Sequence, residues 1–112
     1  MLDWEETEVT EMLGVEPEYK EENGGPFHLY NVRRNGLGIE LAIFPFETDV
    51  ELRLYHTDPD EYFYKHNILN CKNIRRLKKA DGNIILELID KNGTVSAKVQ
   101  VTPNIVIETI NE

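Results

Sequence analysis

Residues 81–93 read DGNIILELIDKNG, an apolar strand held between two turn dipeptides, Asp81-Gly82 and Asn92-Gly93. Such dipeptides mark hairpins, because tight turns between antiparallel strands need positive φ, which Gly, Asn and Asp tolerate best. Taken as a two-residue loop, Asp81-Gly82 pairs Leu77 with Leu86 and Arg76 with Glu87. The same count from Asn92-Gly93 pairs Leu86 with Val99, Glu87 with Lys98, Ile84 with Val101 and Leu88 with Ala97. One face then gathers Leu77, Ile84, Leu86, Leu88, Ala97, Val99 and Val101. The other carries a ladder, Arg76–Glu87–Lys98, which a one-residue slip would turn inward. The reading expects Leu86 buried and Glu87 exposed.

The same logic extends towards the N-terminus. Asn35-Gly36 pairs Val32 with Ile39, Tyr30 with Leu41 and His28 with Ile43 on one face. Asn31–Glu40, Leu29–Ala42 and Phe27–Phe44 fall on the other. Asp49–Tyr55 alternates strictly, as a half-buried strand does. In Thr57–Asn70, Asp58-Pro59-Asp60-Glu61 suits either a helix start or a four-residue hairpin loop. The aromatic run Tyr62-Phe63-Tyr64 favours the hairpin, with Tyr62 across from Tyr55 and Tyr64 across from Arg53. A last strand, Ile105–Ile110, follows the turn at Pro103.

Ahead of these strands, residues 1–14 read as a helix, with Asp3 as N-cap and Gly14 at the C-terminal end. Leu2, Val9, Met12 and Leu13, with Trp4 nearby, form an apolar stripe that must pack on the sheet. Residues 15–26 hold two prolines, Gly24-Gly25 and several acids, and are expected as an acidic connector. The fold class is α+β. A helix precedes seven or eight antiparallel strands in meander order, as a curved sheet, a barrel or a sandwich over residues 27–112.

The chain has 112 residues, one domain's worth, and 40% of them are apolar, too many for a wholly disordered chain. No apolar run approaches the roughly 18–20 residues that span a bilayer, and the N-terminus is acidic where a secretory signal is basic. The single cysteine, Cys71, can form no internal disulfide, which fits a reducing cytoplasm. Formal net charge is −9, and residues 1–24 hold nine acids against one base. Such a segment repels phosphate backbones and anionic lipid, so neither nucleic acid nor a membrane is the expected partner. A run of five bases lies between Lys72 and Lys79, and the acidic segment could neutralise it internally.

Chemistry-bearing residues are few. His56 with Asp58, Asp60, Glu61 and His66 is the densest set, but its spacing matches no metal-ligand pattern. His28 reads as a hydrogen-bonded core histidine, and Cys71 as a small buried apolar residue. Phosphate-loop, nucleophile-elbow and paired-cysteine motifs are absent, so no cofactor or metal is expected.

These features suit binding better than catalysis. The leading expectation is a small cytoplasmic protein-interaction module that meets a basic partner through Glu16, Glu18, Glu21 and Glu22. Toxin-neutralising immunity proteins share that physical profile with many other adaptors. The alternative is a small-molecule barrel lined by Tyr30, Tyr55, Tyr62 and Tyr64. A third reading is an enzyme using His56 and the Asp58–Glu61 loop. Homodimerisation through an uncapped edge strand is compatible with each.

Overall fold

In the computed structural model, residues 2–22 and 25–110 are described, without the side chain of Glu22; Gly24 of the expected connector lies outside them. One helix, α1 (Glu6–Leu13), precedes nine antiparallel strands among these residues. They are β1 (Glu18–Glu22), β2 (Gly25–Arg34), β3 (Leu37–Phe44), β4 (Asp49–Tyr55), β5 (Tyr64–Ile68), β6 (Asn73–Lys78), β7 (Ile84–Ile89), β8 (Val95–Gln100) and β9 (Val106–Thr109). The α+β class holds, and the strands divide in sequence order into a five-stranded sheet, β1 to β5, and a four-stranded sheet, β6 to β9.

Both sheets direct apolar side chains into one core. Tyr30, Val32, Leu41, Ile43 and Leu52 come from the first sheet, and Leu86, Leu88, Ala97 and Val99 from the second. Val9 and Leu13 of α1 enter the same core, with Trp4 and Met12 packed against it. A hydrogen bond of 3.0 Å between the hydroxyls of Thr10 and Tyr30 ties helix to first sheet.

The helix is shorter than expected. Its N-cap residue is Glu5, without a side-chain bond, while Gly14 closes it at φ 74° and donates to Thr10 O. Asp3 instead lies along β6, donating to Lys72 O and accepting from Ile74 N. Backbone groups left open on the edge of β6 outcompete the capping role that the Asp3 carboxylate could have played.

The expected connector contains a strand. β1 pairs with the extended N-terminal half of β2, Glu18 facing Leu29 and Lys20 facing Phe27. Glutamate is a poor strand former, so this element owes its existence to the open edge of β2 rather than to propensity.

Turn chemistry decides the registers. Asn35 and Gly36 both have positive φ, 53° and 80°, as a two-residue type I′ turn requires, and β2–β3 pairs as expected. At Asp81-Gly82 only the glycine has positive φ, and Lys79 N bonds Asn83 O around a three-residue loop. That loop slips β6 by one residue, so Arg75, in place of the expected Arg76, faces Glu87. Leu77 consequently faces Ile85 on the outer surface, where it is exposed. Glu87 is 5% exposed, against expectation, because the ladder packs over it. At Asn92-Gly93 the loop is also three residues long, but a bulge at Leu88/Ile89 restores the expected pairing of Leu86 with Val99 and Glu87 with Lys98.

The segment after β4 is a hairpin closed by a 3₁₀ turn over Pro59–Glu61, capped by the Asp58 carboxylate. Its register places Tyr64 across from Leu54, one residue from the expected position.

Candidate partner-binding surface

β1 forms one edge of the first sheet, and exposed charges such as those of Glu18 and Glu21 disfavour edge-to-edge pairing. Glu16 and Glu18 are exposed, and Lys20 Nζ lies 3.5 Å from Glu18. Glu21 is exposed and faces Pro26, while Glu22 faces Gly25 by its backbone. None of Glu16, Glu18 and Glu21 ion-pairs with the 72–79 run. There Arg75 takes Glu87, Arg76 takes Glu11 and Lys79 takes Asp81. One acid of the N-terminal segment, Glu11, thus pairs with the basic run through Arg76, whereas Glu16, Glu18 and Glu21 are exposed and do not.

On the core side, Tyr19 of β1 meets His28 edge-on at 4.9 Å, and Trp4 meets the same ring at 4.9 Å. His28 Nδ1 lies 2.9 Å from Glu6 Oε1, out of line for a hydrogen bond. The histidine thus fastens β2 to both the helix and the edge strand, without the hydrogen bond expected of it.

The outer face of the first sheet carries a shallow groove of about 310 Å³. Phe27, Leu29, Ala42 and Phe44 form its floor, and Lys20, Glu40, Glu51, Arg53 and Asp60 its rim. The rings of Phe27 and Phe44 stack at 4.7 Å. Arg53 Nε donates to Glu51 Oε1 at 2.6 Å, and Lys65 Nζ lies 3.7 Å from the same oxygen. The Arg53 guanidinium also sits 4.7 Å from the centre of the Tyr62 ring, within cation–π range.

Glu40 lies across from Arg53 yet has no ion pair among the described residues, because Arg53 is committed to Glu51. Burial pushes the Glu40 carboxyl above the usual range, with Arg53 opposing the shift. Neither the groove nor Glu40 was singled out in the sequence. The signal was there: Asn35-Gly36 fixes the face of Glu40, and strict alternation in β4 sets Glu51 and Arg53 on one face.

The four tyrosines of the small-molecule reading are not brought together. Tyr30 is fully buried between the sheets, where burial pushes its phenol up. Tyr55 lies on the opposite face of the first sheet, covering Gly38, with its hydroxyl donating to Asn31. That close approach explains the glycine, since a Cβ on Gly38 would fall 2.2 Å from the Tyr55 ring. Tyr62 stacks on Arg53 of the groove rim, and Tyr64 begins β5 at the loop end of the β4–β5 hairpin.

The acid–base set is also dispersed. His56 is exposed and stacks on Phe63 at 4.5 Å, while Asp58 is occupied in capping. His66 approaches Ser96 Oγ at 3.4 Å, and burial holds its ring below the usual histidine range. No group of three or more metal-ligating side chains forms among the described residues. Burial pushes the Cys71 thiol up to about 11, leaving it protonated at neutral pH.

No protein-family model matches the chain, and no curated protein matches it either. Among solved structures, it is similar to a chain of a contact-dependent growth inhibition toxin–immunity protein complex from Klebsiella pneumoniae 342. The TM-score is 0.75 at 16% identity, covering 97% of this chain and 96% of that one. Both chains share one fold over nearly their whole lengths.

Proposed function

We propose that this chain is a non-catalytic protein-interaction module of the immunity type, which binds a basic toxin in the cytoplasm and neutralises it. The observation that carries the reading is the full-length likeness in fold to a chain of a toxin–immunity protein complex. Three features favour the immunity side of such a pair. The histidines are dispersed, the lone thiol is buried, and the excess charge is negative.

The partner surface in this reading is the edge formed by Glu16, Glu18, Glu21 and Glu22, continuing into the groove floored by Phe27 and Ala42. Apolar floor with charged rim is the usual anatomy of a protein interface. The acids steer a cationic partner, and Glu40 receives a basic side chain once water is excluded.

The test is binding kinetics with a toxin recovered by co-purification. Replacing Glu16, Glu18, Glu21 and Glu22 together with Gln should leave the melting temperature nearly unchanged and slow association several-fold, less so at high salt. An unchanged on-rate would remove these acids from the interface.

A further inference from the structure

The outer face of the second sheet carries charge in a regular order. Arg75 faces Glu87, Glu87 faces Lys98, and Lys98 faces Glu108, so one row across β6, β7, β8 and β9 alternates plus, minus, plus, minus. Beside it runs a shallow groove of about 130 Å³ whose lining joins Leu77, Ile85, Gln100 and Val106 to the charged Lys79, Lys98 and Glu108. Leu77 is 42% exposed and Val106 is 52% exposed. Arg75 is held by Glu87, while Lys98 and Glu108 have no ion pair among the described residues.

A two-fold axis along the strands and in the plane of this face reverses the strand order and keeps each residue's height along the strand. The charged row reversed reads minus, plus, minus, plus, which complements the original at every position. The neighbouring row, Leu77, Ile85, Gln100 and Val106, falls on itself under the same operation, with Leu77 set against Val106 and Ile85 against Gln100. An isologous contact requires such self-complementarity, and a random partner does not produce it.

We propose that this face docks a second copy of the chain, β6 lying over β9 of the partner and β7 over its β8. Arg75 then meets Glu108 of the second copy, and Leu77 meets its Val106. Lys98 comes to lie over β7 of the second copy, whose Glu87 is held by Arg75. The face lies on the far side of the shared core from the groove of the first sheet, so the dimer leaves that groove open and the inference does not depend on the immunity reading.

Sedimentation equilibrium over a range of protein concentrations tests it with the protein alone. The wild type should dimerise reversibly, and more weakly as salt rises. Glu108→Lys, which sets two cations against each other, and Val106→Asp should each weaken the dimer by about tenfold or more. Both positions are exposed, so melting curves should stay close to wild type. Leu69→Asp, an exposed site in the turn after β5, should leave the dimer intact. A wild type that stays monomeric throughout, or a dimer that survives either substitution, overturns the proposal.

Discussion

Arg75 donates from Nε to Glu87 Oε1 at 2.8 Å across β6 and β7, closing over a carboxylate that is itself only 5% exposed. The guanidinium is more than half exposed, so the pair joins a solvated cation to a buried anion. Leu86, the preceding residue of β7, points into the core with no exposure at all.

These two neighbours should respond differently to truncation. Leu86→Ala should cost about 2–5 kcal/mol, from lost burial and the cavity left behind. Glu87→Ala should cost about 1.5–3 kcal/mol, the range for a hydrogen bond to a charged group, since Arg75 can return to water. Denaturant melts of both variants check this. A Glu87→Ala variant as stable as wild type would place the carboxylate in solvent.

Glu40 should trade stability against binding. Burial raises its carboxyl in the fold, so the folded chain favours the protonated form more than the unfolded chain does. That contribution is fully present below the ordinary glutamate range and lost as pH rises through the raised value. Glu40→Gln should therefore melt at or above the wild-type temperature at neutral pH, with the difference vanishing in acid. The same variant should bind the partner more weakly, mainly through a faster off-rate. Parallel melting curves at acid and neutral pH, with one binding titration, measure both arms.

Cys71 should be inert in the native state. Its Sγ contacts Ile89 O at 3.3 Å and burial pushes its thiol up to about 11. A thiol reagent at mildly alkaline pH should label it only at the rate of unfolding, and fully in denaturant. Rapid labelling without denaturant would mean that the β5–β6 junction opens locally.

The residues that misled a reading by hairpin signals were glycine turns of identical appearance. Asn35-Gly36 and Asp81-Gly82 look alike, but Asp81 keeps negative φ and only Gly82 turns left-handed, adding a residue to the loop. Dipeptide identity marks where a hairpin turns, while loop length depends on which flanking residues pair, here Lys79 with Asn83. β1 was illegible for a different reason: its acids carry no strand preference, and the β2 edge that recruits them is set by a hairpin further along. The alternating faces of β2, β3 and β4 were legible because burial enforces period two. The acidic edge was legible as composition, whereas the groove around Glu40 required knowing which carboxylate Arg53 would leave unpaired.

Growth of cells expressing the co-purifying toxin, with and without this chain, tests the central claim most directly. The account predicts that wild-type chain restores growth and that the four-Gln variant of Glu16, Glu18, Glu21 and Glu22, combined with Glu40→Gln, restores it poorly at equal protein levels. Cells that die equally with and without the wild-type chain would contradict it.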